Sequence, residues 1–196
     1  MIKSELMHRQ EQQWSRLGAE APYWSVLSGC SKTADIALAD KREFYRSGED
    51  EILLLRDFFR YAGRVVPSGV CVDWGCGLGR VTIHLTSLFQ QVIGVDISGP
   101  HLDLAREYIS SLDSQVGQKI LLYHVLENQN ALAKLQGKVD FVHSILVLQH
   151  VPPPLMITTL TTFARLLKKG GYAFFQIPSY GENYNYPHYD LEHAGE

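Results

Sequence analysis

The stretch Val70-Cys71-Val72-Asp73-Trp74-Gly75-Cys76-Gly77-Leu78-Gly79-Arg80 governs how the rest of the chain is read. A short apolar run ends at Asp73, and three glycines follow at alternate positions before a helix-like segment. Glycines this closely spaced let a ligand approach the backbone where any Cβ would collide. A second apolar run, Gln91-Val92-Ile93-Gly94-Val95-Asp96, ends in another carboxylate. It lies roughly 20 residues further on, the spacing of an acid that binds ribose hydroxyls. Together the two segments describe a pocket for an adenosine-containing ligand at the mouth of a parallel sheet.

A dinucleotide pocket calls for G-x-G-x-x-G, with the pyrophosphate on the helix N-terminus. Here the glycines stand at 75, 77 and 79, and Arg80 occupies the place of the third glycine. The stretch also lacks the G-x-x-x-x-G-K-[ST] pattern of a phosphate-cradling loop. Asp73, two residues before the first glycine, would repel a pyrophosphate yet suits the ammonium of an amino acid. The ligand that carries both adenosine and a free amino acid is S-adenosylmethionine.

On these residues the chain resembles the class I S-adenosylmethionine-dependent methyltransferases, in their small-molecule branch. Their motif D/E-x-G-x-G-x-G stands here as Asp73 to Gly79, and their ribose-binding acid matches Asp96. Their fourth-strand segment resembles Val139 to Pro152, and their approach to the fifth strand resembles Leu166 to Phe175. The resemblance covers residues 45 to 178. It implies a doubly wound α/β fold, a mostly parallel sheet with helices on both faces. It also implies methyl transfer that converts S-adenosylmethionine to S-adenosylhomocysteine.

Size and composition agree with one soluble globular domain: 196 residues, 45% hydrophobic and 20% charged. A net charge of −3 supplies no broad basic field, which disfavours a nucleic-acid partner. Cys30, Cys71 and Cys76 show no metal-ligand spacing, and Cys71 and Cys76 read as small packing residues. No signal-like or membrane-length apolar run is present, so a cytoplasmic protein with no membrane partner is expected.

Residues 3 to 17 read as a polar, mostly exposed helix, followed by an apolar docking patch at Tyr23, Trp24, Val26 and Leu27. Ser47 is expected to cap a helix that leaves at Gly63 and Pro67. Then come strand Val70–Asp73, helix Arg80–Phe89, strand Gln91–Asp96, and a helix from Ser98 to about Leu112. Strands Lys119–Val125 and Val139–Ile145 follow. A helix opened by Pro153 and Pro154 reaches Leu167 and ends at Gly170-Gly171, before a fifth strand Tyr172–Ile177. This alternation predicts parallel strands with right-handed crossovers and a ligand site at their carboxyl ends. The expected organisation is an N-terminal helical segment over 1–46, the binding domain over 47–178 and a tail over 179–196.

The family carries two further strands, and no apolar run after residue 178 supplies them. A fragment, a truncation and a naturally short domain all fit. The fifth strand is then an edge, to be covered by the tail, the N-terminal helices or a second copy in a homodimer.

The resemblance, set on the residues, gives these roles. Gly75, Cys76, Gly77 and Gly79 line the methionine part of the cofactor, and Asp73 receives its ammonium or instead bonds loop amides. Asp96 accepts the ribose hydroxyls or caps a helix, and Ile97 presses on the adenine. Leu126 and Glu127 are the matches for the adenine amino group. Ser144 is either a methionine contact or a buried, satisfied serine. Tyr45 either folds over the cofactor or packs in the core. His150 follows the fourth strand and is the candidate general base, against the alternative of a loop histidine. Tyr180, Tyr184, Tyr186, His188 and Tyr189 either wall the acceptor pocket or belong to a disordered tail. The expected reaction is in-line methyl transfer to an O, N or C nucleophile of a small organic acceptor, without a metal. A non-catalytic S-adenosylmethionine-binding module on the same fold is the rival reading.

Overall fold

The computed structural model describes residues 2–30 and 36–177. Four helices lead the chain: α1 (Ile2–Glu20), α2 (Pro22–Val26), α3 (Leu38–Arg46) and α4 (Gly48–Tyr61). From there strands and helices alternate. The order is β1 (Val70–Trp74), α5 (Thr82–Leu85), β2 (Gln91–Asp96), α6 (Gly99–Ser110), α7 (Ser114–Gly117) and β3 (Ile120–His124). Then follow α8 (Gln129–Ala133), β4 (Val139–Ser144), a 3-10 turn at Leu148–His150, α9 (Pro153–Leu166) and β5 (Leu167–Phe175). The sheet runs β3-β2-β1-β4-β5, and every neighbouring pair is parallel. The strand order reverses beside β1, which opens a crevice at the carboxyl ends of β1, β2 and β4.

The period-two rule explains the two-sided core. Cys71, Val92 and Phe141 face one side, where Leu55, Phe59 and Phe89 pack on them. Val72, Ile93 and Val142, one residue further along their strands, face the other side with Leu148, Phe163 and Leu166. A third cluster, with Tyr23, Phe44, Tyr45, Leu78 and Ile83, fastens the N-terminal helices to the body. α1 crosses close to α6 because residue 18 is glycine. A Cβ there would lie 2.6 Å from His101 Nδ1 and 2.8 Å from Ser98 Oγ. α1 thus rests one face on the body while most of its residues stay exposed, as its polar composition implied.

Three local expectations fail for identifiable reasons. The helix after the glycine loop shrinks to Thr82–Leu85, flanked by turns. The β-branched run Val81-Thr82-Ile83 is a weak helix former, and Thr86 Oγ1 donates to Ile83 O. Ser47 does not cap α4 with its side chain: it sits in helical geometry and its Oγ donates to Phe44 O at 2.6 Å. Gly170-Gly171 does not end a helix but lies inside β5, which starts directly after α9. Gly170 takes φ +82° where the pairing with β4 shifts between Val139 and Phe141, a bulge that needs glycine's freedom.

β5 is an edge strand. α4 covers one of its faces, with Phe58 against Phe174 and Phe59 against Tyr172, each pair of rings 5.3 Å apart. Among the described residues no strand pairs with its outer side.

Asp140 ties the sheet together across β4: Val70 N donates to its Oδ2 at 2.8 Å, and Lys168 Nζ donates to its Oδ1. Desolvation acts to raise its pKa, but these hydrogen bonds outweigh it and hold the carboxyl below its ordinary range. The stability it adds is complete above the unfolded carboxylate pKa and is lost as pH falls through the lowered folded value. Asp140→Ala is expected to reduce unfolding free energy by about 1–3 kcal/mol, most of it from the Val70 bond. Urea denaturation at neutral pH, compared with pH 3, checks both size and sign.

Candidate functional site

β1 delivers its chain into the crevice and turns sharply at Gly75 (φ +77°) and Gly77 (φ +53°). The turn is anchored from behind. Gly75 N and Cys76 N donate to Val95 O at 2.7 and 3.1 Å, and Gly77 N donates to Asp96 Oδ2 at 2.7 Å. A Cβ on Gly75 would strike the Val147 side chain, and one on Gly77 would come within 3.1 Å of Val26 Cγ2. The bare backbone is thus one wall of a cavity of about 1120 Å³, counted out to its open mouth.

Two carboxylates face this space. Asp73 is only 4% exposed; Thr82 Oγ1 donates to its Oδ2 at 2.6 Å, and His143 Nδ1 lies 2.8 Å from its Oδ1. Its partners are therefore side chains, not loop amides. Asp96, half-buried, accepts from Gly77 N and, at 2.9 Å, from Ser98 N. Each of its oxygens keeps a second lone pair for a hydroxyl donor. Cys76 and Ile97 also line the cavity. Burial, reinforced by Asp96 and Asp73, holds the Cys76 thiol far above its usual pKa, so it presents a neutral small group.

Several expected contacts do not reach this wall. Gly79 (φ +79°) turns toward α6, where its Cβ position lies 3.7 Å from Ala105 Cβ and Ile109 Cδ1. Its conformation serves the loop's close packing on that helix. Leu126 and Glu127 fall after β3 has ended, and Val125, held by its N–H to Asp96 O at 2.9 Å, lines the cavity in their place. Ser144 is fully buried and donates to Trp74 O at 2.9 Å. Tyr45 packs in the core: its hydroxyl donates to Leu78 O at 3.2 Å and its ring stacks on Tyr108. His150 stands exposed outside the lining, its ring 5.5 Å from Trp14. Partial desolvation of that ring lowers its pKa, so it is neutral at pH 7. The tail tyrosines and His188 lie outside the described residues.

Other residues join the site without having been singled out. Met7, Gln10 and Trp14 from α1 roof the cavity. They stand three and four residues apart, one face of a helix. The signal was present in the spacing but hidden by the polar composition around it. His101 joins α6 to this roof, 2.8 Å from Ser25 Oγ and 2.7 Å from Ser98 Oγ. Burial lowers its pKa, against an upward pull from Asp96. Ser25 donates its own proton to Pro22 O at 2.8 Å, so His101 Nε2–H is the donor to Ser25. Leu146, also in the lining, holds φ +61°, a left-handed conformation costly for a leucine and typical of strained functional loops. Leu146, Val147, Val151 and Leu155 give the cavity a largely apolar stretch of lining. Among the described residues no cluster of His, Cys, Asp or Glu is arranged to hold a metal ion, and no helix is long and apolar enough to cross a membrane.

Comparisons with known proteins converge on one family. A family described as a methyltransferase domain matches residues 46–193. A ubiquinone biosynthesis O-methyltransferase of Burkholderia thailandensis is 34% identical over 110 residues, 56% of this chain and 44% of that protein. Its counterpart from Aromatoleum aromaticum is 32% identical over 104 residues, 53% of this chain and 42% of the relative. The matches thus span less than half of these relatives. Among solved structures, phosphoethanolamine N-methyltransferase 1 of Haemonchus contortus, with phosphoethanolamine and S-adenosylhomocysteine, aligns at TM-score 0.59 and 16% identity. It covers 87% of this chain and 32% of that one. Magnesium protoporphyrin IX methyltransferase from Synechocystis, with S-adenosylmethionine bound, aligns at TM-score 0.56 and 21% identity, over 83% and 72%. At these identities the structural matches speak to fold.

Proposed function

We propose that this chain, which belongs to the methyltransferase-domain family, binds S-adenosylmethionine in the cavity and passes its methyl group to a small organic acceptor. The observation that carries the reading is the meeting of Asp73, Asp96 and the bare Gly75–Gly77 backbone in one cavity. The residues fit the cofactor: a Cβ at Gly75 would close the cradle, and Asp96 retains acceptor capacity for two hydroxyls. Ile97 and Val125 supply an apolar slot for the adenine. When bound, the sulfonium compound supplies a methyl group on an excellent leaving group.

The protein's task is then to place the acceptor and keep water away. Met7 and Trp14 close the space from above, while Leu146, Val147, Val151 and Leu155 offer it apolar walls. These walls favour an acceptor with an aromatic or aliphatic body. The names of the bacterial relatives favour oxygen as the atom methylated. The N-terminal helices serve here as part of the site and residues 47–178 as its scaffold. His150, its ring 5.5 Å from the cavity-lining Trp14 and its pKa lowered by burial, is the candidate base for an acceptor that must lose a proton.

Titration calorimetry with S-adenosylhomocysteine and with NAD tests the assignment. Heat with the first and none with the second is expected; the reverse, or no heat with either, overturns it. Turnover is checked by S-adenosylhomocysteine release over a panel of phenolic acceptors.

A further inference from the structure

α9 carries four threonines, and three of them spend their hydroxyls on the helix itself. Thr158, Thr161 and Thr162 each donate from Oγ1 to the carbonyl four residues back, at 3.0, 2.8 and 2.9 Å. That is the usual outlet for a threonine inside a helix. Thr159 does not take it, and among the described residues its Oγ1 has no hydrogen-bond partner. The residue is 9% exposed and lines the cavity. It belongs to the buried stripe Leu155, Thr159, Phe163 and Leu166, spaced four, four and three residues apart on one face. Its three companions on that stripe are apolar. Packing alone would be met by valine, the same shape with a methyl for the hydroxyl and without the cost of an unpaired polar group.

We propose that Thr159 determines which acceptor the cavity takes, its hydroxyl donating to an oxygen carried on the acceptor's body, away from the atom that is methylated. The inference rests on the proposed methyl transfer and deepens it. Leu155, one turn before Thr159 on the stripe, lines the cavity. Phe163, one turn after it, meets the cavity-lining Trp74 with the rings 5.5 Å apart. The hydroxyl is thus a single polar point in apolar surroundings. In the proposed arrangement Asp96 meets the ribose, and Ile97 with Val125 meets the adenine, while α9 contributes to the stretch offered to the acceptor. An acceptor that fills this stretch with carbon alone expels water from the hydroxyl and leaves it stranded. One with an oxygen there completes the bond. Discrimination of this kind comes from the penalty on the wrong ligand as much as from attraction to the right one.

Two phenols of one shape test this: 4-acetylphenol carries a carbonyl oxygen where 4-isopropylphenol carries a methyl group. Calorimetry reads their binding to protein saturated with S-adenosylhomocysteine, for wild type, Thr159→Val and Thr159→Ser, with melting temperatures alongside. The wild type should prefer the acetyl compound by about 5- to 10-fold, the worth of one neutral hydrogen bond. Thr159→Val should lose that preference and keep the wild-type affinity for S-adenosylhomocysteine. Its melting temperature should equal or exceed that of wild type, because a methyl replaces an unpaired hydroxyl. Thr159→Ser retains the hydroxyl and should retain the preference. A wild type that does not discriminate, or a Thr159→Val that still does, overturns the inference alone. So does a Thr159→Val with weaker S-adenosylhomocysteine binding, which would give the hydroxyl to the cofactor, or with a lower melting temperature, which would give it to the fold. Protein that binds S-adenosylhomocysteine but neither phenol overturns this inference and the small-acceptor reading, with the cofactor assignment intact. Protein that does not bind S-adenosylhomocysteine sinks all three.

Discussion

Asp96→Asn is expected to weaken S-adenosylhomocysteine binding by about 100-fold, through two hydrogen bonds of about 1.5 kcal/mol each. Asp96 is engaged by two backbone donors at once, Gly77 N on one oxygen and Ser98 N on the other. An asparagine can satisfy only one of them with its carbonyl. Its NH₂ must then face the other N–H, donor against donor, so the glycine loop and the start of α6 are pushed apart. The ribose hydroxyls lose acceptors in the same change. Calorimetry on the variant, alongside its melting temperature, separates loss of binding from loss of fold. Affinity within about threefold of wild type would show that Asp96 only shapes the loop, since each such bond carries a tenfold effect or more.

Asp73→Ala should act mainly on stability. The side chain is almost fully buried and receives Thr82 Oγ1 and His143 Nδ1. Removing it leaves two buried polar groups stranded, each costing about 1–3 kcal/mol. The expected loss of about 2–6 kcal/mol corresponds to a melting temperature lower by about 4–24 °C for a domain of this size. Differential scanning calorimetry reads it. A melting point unchanged within error would mean that His143 and Thr82 find other partners, and that Asp73 is held for the ligand alone.

The strands were legible because their chemistry is local. Cys71/Val72, Val92/Ile93 and Phe141/Val142 alternate between two buried faces, so each run reads as a covered strand, and the glycines between Asp73 and Arg80 mark the turn that ends the first. What escaped depends on distant partners. Arg80 read merely as a missing glycine, because its neighbours Ser47 and Glu51 belong to a helix joint some thirty residues earlier. Leu126 and Glu127 were offered for the adenine, yet the register that pairs Asp96 with His124 ends the strand too soon for either to turn inward. The face of α1 that carries Met7, Gln10 and Trp14 was masked by the exposed ion pairs Glu5–Arg9 and Arg16–Glu20 on its outer side. Tyr45 and Ser144 are polar groups whose partners, Leu78 O and Trp74 O, are main-chain atoms of the loop region, a pairing that composition does not announce.

α9 ends at Leu166 and β5 begins at Leu167, so no slack separates them. Leu155 and Thr159 of α9 border the cavity, while β5 forms the rim of the sheet. One continuous stretch of helix and strand therefore joins the chamber to the rim, and the glycine bulge at Gly170 is where that stretch can give.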